Sequence, residues 1–354
     1  MKYLRNILLL CFALLIVTGC GAQPRPTSHG PVDLGSWIVY WDAGRGLQEL
    51  KSEKALKNVS LFSASFDKND ELCLPVMFLK PDKPDDKDST ITYAEMVQEL
   101  KKMKVDDVYI CINNDVMKDG NQEVAKLKDL DVLRRVLADD EAIEAHADSI
   151  INLAKELKCD GVEIDYERLW KKESDDDLRK GFLQLTYKLQ RKAVKENLKL
   201  RIVLEPSVDM GADFCKGPEY VVMLYNLYGG HSGPGPKADY DFIEKTIKKM
   251  SKLPDNKSVA ISTGGCIWEA DKKGRFITED EVLKLADEAK AKPERDNENA
   301  ALHFKYSDKN GKNIEVWYAD GETLTSWIAE SDRQGISQIY LWRLGGNTTI
   351  NQVK

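Results

Sequence analysis

Eight short apolar runs constrain the fold of this chain more than any other feature. They lie at residues 37–41, 59–66, 108–113, 161–166, 200–204, 220–225, 258–263 and 336–342. Amphipathic segments at 93–104, 141–158, 177–196 and 240–252 fall between them. Apolar runs of this length read as strands and the amphipathic segments as helices. Strand and helix alternating in that number predict an α/β architecture, a closed (β/α)8 TIM barrel. The interval 205–219 leaves little room for a helix plus its loops, so that unit is expected to be irregular. Between the seventh and eighth runs about seventy residues stand in place of the roughly thirty of an ordinary unit. A small α+β insertion is therefore expected at about 267–318. Within it, 279–292 reads as a helix with Thr278 and Glu281 as a capping box, and Pro293 follows as a stop. Residues 301–306 and 314–318 read as a hairpin turning near Asn310 and Gly311.

The fourth run carries the chemistry. Asp160-Gly161-Val162-Glu163-Ile164-Asp165-Tyr166-Glu167 places four carboxylates in eight residues otherwise patterned like a buried strand. Side chains alternate along a strand, so Glu163, Asp165 and Glu167 share one face and Val162, Ile164 and Tyr166 the other. An edge strand with a solvated acidic face would explain this pattern. The preceding helical segment, however, points to a βα unit, whose strand is buried on both faces. Like charges this close cannot all ionise cheaply, so at least one proton is held to higher pH, as a general acid requires. Asp165 and Glu167 sit about 6.5–7 Å apart along one strand and approach a ligand from one side. A nucleophile for the opposite side must come from elsewhere.

This octet resembles the Asp-x-x-Asp-x-Asp-x-Glu signature of glycoside hydrolase family 18, the chitinase-like enzymes. Glu163 stands where the family usually has Asp. Met223-Leu224-Tyr225-Asn226 resembles the segment closing the family's sixth barrel strand, and 338–343, with Trp342, resembles its eighth. Gly233-Pro234-Gly235-Pro236, His303-Phe304-Lys305-Tyr306 and Val316-Trp317-Tyr318 are similar to the branch containing spore-cortex and peptidoglycan-fragment glucosaminidases. The resemblance implies retaining, substrate-assisted hydrolysis beside N-acetylglucosamine in peptidoglycan, chitin-like or N-glycan substrates. By the same resemblance Glu167 would be the acid and then the base, and Asp165 would orient the acetamide and stabilise the oxazolinium. Tyr225 would bond the acetamide oxygen, and Glu163 would sit behind Asp165 and share a proton or hydrogen bond with it. Trp342 would stack beneath the sugar, with Asn226 a polar contact beside Tyr225. The insertion would wall one side of the groove, or be a surface elaboration with no ligand contact.

Glu205, Asn113 and Asn114, at strand ends, are open to two readings: contacts to sugar hydroxyls, or loop capping. Trp41 lines the groove or fills the barrel, and His231 reaches the cleft or is simply solvated. The rival function is a catalytically weak glycan-binding surface lipoprotein that keeps only the aromatic groove.

Lys2 and Arg5 precede an apolar run at 7–17 that is short for a membrane span and ends in Val17-Thr18-Gly19-Cys20. This resembles a bacterial lipoprotein signal peptide, with cleavage after residue 19 and lipidation of Cys20. The mature enzyme would then be anchored to a bacterial membrane in the cell envelope. Residues 20–36, rich in Pro and Gly, read as a spacer before the barrel at 37–354. Without residues 1–19 the chain has 50 Lys+Arg against 59 Asp+Glu, a net −9 that disfavours nucleic acid as a partner. Cys73, Cys111, Cys159, Cys215 and Cys266 remain, an odd number that cannot all pair. None of the four histidines, His29, His146, His231 and His303, lies at ligand spacing, so neither metal nor cofactor is expected.

Overall fold

The computed structural model describes residues 31–353, apart from 53–55, 81–88, 119–122, 255 and 271. The signal-peptide and lipidation expectations, Cys20 included, lie outside the described residues.

Eight parallel strands form the ring: β1 (Asp33–Val39), β2 (Leu56–Phe66), β3 (Asp107–Met117), β4 (Gly161–Asp165), β5 (Lys199–Leu204), β6 (Glu219–Met223), β7 (Lys257–Ser262) and β8 (Gln338–Trp342). Each pairs with its sequence neighbour, and β8 returns to β1 with Asp33 opposite Gln338, closing the barrel. Helices α1 (Ala43–Ser52), α2 (Tyr93–Lys102), α3 (Leu130–Val136), α4 (Asp140–Leu157), α5 (Asp176–Lys195) and α6 (Tyr240–Lys249) occur along the chain between the strands. Acidic caps at Asp139, Asp175 and Asp239 accept backbone N–H groups and fix the starts of α4, α5 and α6. As the spacing implied, no helix forms between β5 and β6.

Two cores follow from strand alternation. Val162, Ile164 and Tyr166 of β4 and its end join the large apolar layer shared with the helices, whereas Trp37, Val39, Phe62, Cys111, Val203, Val221, Met223 and Tyr225 fill the barrel. The lower interior is polar. Arg201, almost fully buried, lies between the rings of Tyr109 and Tyr340, 3.9 and 4.0 Å from their centroids. Gly161 and Gly35 make that sandwich possible, since a Cβ at either would come within 2.5 Å of the Tyr109 or Tyr340 ring.

The spacer therefore needs correcting: residues 33–36 are not spacer but the beginning of β1, registered on both β2 and β8. Gly35 suggested a linker in the sequence, but here it is required by close approach to Tyr340. Residues 40–42 leave the strand as a short 3-10 turn, which carries Trp41 to the rim of the barrel.

The insertion opens directly after β7. A five-stranded antiparallel sheet runs in the order Arg275–Ile277, Gly264–Glu269, Asn313–Ala319, Leu302–Ser307, Glu294–Arg295. α7 (Glu279–Ala289), with the Thr278/Glu281 capping box, packs on it through Val282 and Ala286 against Ile267, Phe304 and Val316. α8 (Gly321–Arg333) then leads to β8. Among the described residues the five cysteines are free, and no helix is long and apolar enough to cross a membrane.

Candidate active site

A cavity of about 480 Å³ opens at the carboxyl ends of the strands, the end of a barrel where loops gather functional groups. Asp165 and Glu167 are on its surface, with Tyr225, Asn226, Trp342 and Trp41. The insertion supplies one wall through Phe276, Ile277, Thr278 and Glu281. Asn226 takes a left-handed conformation, φ +63°, which asparagine adopts with little cost. Trp342 packs edge-on against Phe62 and Trp37, at 4.9 and 5.6 Å, and the peptide following it is cis.

Asp165 is buried, and its Oδ1 has no hydrogen-bond partner among the described residues. A buried polar atom without a partner calls for an explanation, and Asp165 is one that lines the cavity. Burial pushes the Asp165 carboxyl well above its usual range, and the neighbouring carboxylates of Glu167 and Glu163 push it further. Burial also raises Glu167, but Lys128 opposes the shift, with Nζ donating to Glu167 Oε2 at 2.5 Å. Burial and its acidic neighbours thus raise Asp165 more strongly than Glu167, whose shift Lys128 opposes.

Glu163 requires a correction. It does not bond Asp165; its extra methylene carries the carboxylate into the barrel interior. There Oε1 accepts from Trp37 Nε1 at 2.5 Å and Ser60 Oγ at 2.8 Å, and Oε2 accepts from Arg201 Nη1 at 3.0 Å. Arg201 also reaches Tyr340 OH at 2.7 Å and Glu219 at 3.1 Å. Glu163 is thus the anion of a buried ion pair beneath the site, acting on Asp165 by charge alone.

The strand-end polar residues also resolve. Asn114 brackets the backbone of the acid: its Oδ1 accepts the Glu167 amide at 2.9 Å and its Nδ2 donates to the Glu167 carbonyl at 3.3 Å. Glu205 accepts the Arg168 amide at 2.6 Å, and Asn113 Oδ1 accepts from Ser65 and the Asp115 amide. All three fix loops around Glu167, and neither they nor His231 line the cavity.

The sequence reading missed Lys128, Asp115, Lys237 and Arg343. Lys128 follows the short strand Val124–Lys126 with φ +51°, and Asp115 Oδ1 accepts its amide at 2.7 Å. Lys237 donates to Ser262 Oγ and the Thr263 carbonyl at 2.9 and 2.7 Å, and burial lowers its pKa to about 8. Arg343 pairs with Asp42 at 2.6 Å. Asp115 stands near the end of β3 and the other three in loops, all far in sequence from the acidic octet, and no local motif announces them.

The family model described as glycosyl hydrolases family 18 matches residues 128–347. The uncharacterized glycosylase YvbX of Bacillus subtilis (strain 168) is 25% identical over 233 residues, spanning 62% of this chain and 67% of that protein. Among solved structures, a chitinase from Chromobacterium violaceum superposes with TM-score 0.73 at 15% identity, covering 91% of this chain and 96% of that one. The Bacillus cereus spore cortex-lytic enzyme SleL gives TM-score 0.73 at 16% identity, covering 93% and 74%. These likenesses show the same fold.

Proposed function

The chain belongs to family 18 of the glycosyl hydrolases, and from that premise we propose that it cleaves glycosidic bonds next to N-acetylglucosamine with retention of configuration, using the substrate's own acetamide as nucleophile. The observation that carries this is the pairing of two carboxylates on one side of the cleft, the buried Asp165 and the half-buried Glu167, with no described carboxylate free to attack from the other. Asp115 and Glu281 are the other described acids lining the cavity. The first is engaged by the Lys128 amide and the second caps α7. A nucleophile must then come with the substrate.

In the proposed step the acetamide oxygen bonds to C1 as the C1–O glycosidic bond breaks, and the Glu167 proton passes to the departing oxygen. Asp165, as carboxylate, holds the acetamide N–H and offsets the oxazolinium charge, while Tyr225 donates to the acetamide oxygen. Water then attacks C1 from the vacated side and gives its proton to Glu167, and the acetamide re-forms. Trp342 supplies an aromatic platform beneath the sugar. The SleL and glycosylase likenesses support peptidoglycan-type substrates, alongside chitin-like oligomers and N-glycans. A purely glycan-binding role has no use for the acid pair Asp165 and Glu167. We also propose that the enzyme is held at a bacterial membrane through a lipidated Cys20.

Two measurements test the reaction. Proton NMR of the first-formed product from a β-linked chito-oligosaccharide is expected to show the β-anomer; the α-anomer would mean inversion. A thiazoline analogue of the oxazolinium is expected to compete with substrate and bind more tightly than the free sugar. An active enzyme indifferent to the thiazoline has no acetamide participation.

A further inference from the structure

Four cations line the cleft: Arg45, Lys128, Lys237 and Arg343. Three are held by partners outside the reaction. Arg45 is held by Asp42 and Asp280, Arg343 by Asp42, and Lys237 by Ser262 and Thr263. Lys128 is different, because its ammonium rests on Glu167, the carboxylate that must carry a proton before the leaving group can depart. Its side chain is 41% exposed towards the cleft while its amide is pinned by Asp115, so the ammonium can swing without the backbone moving.

The other ionisable groups around Glu167 keep fixed partners. Asp115 at the end of β3 holds the Lys128 amide, and Glu205 after β5 holds the Arg168 amide and faces Lys171 at 3.5 Å. Tyr225 beyond β6 is buried as the neutral phenol. Among the described acids lining the cleft, Asp165 is the one with a buried oxygen that lacks a partner. The Lys128 pair therefore favours the ionised form of Glu167 and opposes its taking up a proton. A neutral sugar must break the Lys128–Glu167 pair with nothing to replace it.

We propose that Lys128 is a specificity-determining residue that selects an anionic glycan, one with a carboxylate on the sugar beside the scissile bond, as on the lactyl ether of muramic acid. That carboxylate draws the ammonium away from Glu167. One proton then leaves the Asp165 carboxyl and joins the Glu167 carboxylate, and Asp165 becomes the anion that the oxazolinium requires. Binding of the correct substrate thereby arms the acid. The inference rests on the reaction proposed above and names its substrate class.

The test compares kcat/KM on two soluble tetrasaccharides, one of alternating N-acetylglucosamine and N-acetylmuramic acid and the other chitotetraose, for wild type, Lys128→Met and Lys128→Arg. Methionine adds no backbone cost at φ +51°, since it meets the same restriction as lysine. Wild type is expected to favour the anionic substrate by about tenfold or more at pH 7. Lys128→Met is expected to lose that preference, while Lys128→Arg keeps most of it. On chitotetraose the alkaline limb of Lys128→Met is expected to move to higher pH, because the cation that stabilised ionised Glu167 has gone. An active wild type with no preference overturns this inference alone. So does a Lys128→Met variant that slows both substrates equally with an unmoved alkaline limb, the signature of a structural role. A folded wild type inactive on both substrates overturns the reaction itself and this inference with it.

Discussion

Glu167 sits where three influences meet: burial raises its proton affinity, Lys128 lowers it, and Asn114 fixes its backbone at both amide and carbonyl. Glu167→Gln keeps the shape and loses the proton. Its kcat is expected to fall by about 10²–10⁴-fold with KM little changed. Steady-state hydrolysis of a chromogenic chito-oligosaccharide measures this, and a loss under tenfold removes Glu167 from the acid's place. Asn114→Ala is expected to lower kcat more than it raises KM, because it loosens the loop without touching the sugar. A pure KM effect would make Asn114 a binding residue instead. At this scale the position of Asp165, Glu167, Tyr225, Asn226 and Trp342 on one cavity was legible, because strand alternation and short motifs dictate which end and face each occupies. Glu163 was misread because one methylene decides whether its carboxylate meets Asp165 or Arg201, and only the packed interior settles that. Lys128 was illegible because it is separated from Glu167 by 39 residues and stands in a loop with no periodicity.

β4 and β5 bring Glu163 and Arg201 into register, and the pair is almost wholly excluded from water. Arg201→Met fills similar space but leaves Glu163 buried and unpaired, which costs about 3–5 kcal/mol. Chemical denaturation measures it. Glu163→Gln combined with Arg201→Met is expected to recover part of the loss, since no uncompensated anion remains; a double variant no more stable than the single would mean that the pair is not the source. Element types followed from the apolar runs and the amphipathic stretches, and the Asn310–Gly311 hairpin turn forms with Gly311 at φ +76°. Boundaries were less readable. β3 extends to Met117 beyond the predicted run because its end pairs with Val124–Lys126, a contact with no local signal. The helices α1, α3 and α8 also went unread, although α1 and α8 are amphipathic.

Acid sensitivity is a property of the whole molecule. His146 is buried against Tyr166 OH at 2.6 Å, and burial lowers its pKa to about 4 from an ordinary 6.5. With the folded pKa depressed, its contribution is complete above about pH 6.5 and lost as pH falls towards 4, by about 3 kcal/mol. Asp165 and Glu167, with raised pKa values, titrate in the opposite sense, so the difference between wild type and His146→Gln isolates the histidine. Urea unfolding at pH 7 and pH 4.5 is expected to show a smaller acid loss in the variant; equal losses would mean that His146 is not the sensitive group. Anchoring is tested at the same scale. Cys20→Ser is expected to shift the protein from the membrane fraction to the soluble one with catalysis unchanged, and a wild type recovered soluble without lipid defeats the proposal. The pairing of Asp33 with Gln338 carries a further consequence, for how the chain is made. The ring cannot close until the eighth strand has been synthesised, so throughout translation the first and seventh strands expose unsatisfied edges. A contact spanning nearly the whole described chain makes folding slow. Loss of the last strand would leave an open, adhesive sheet rather than a smaller barrel.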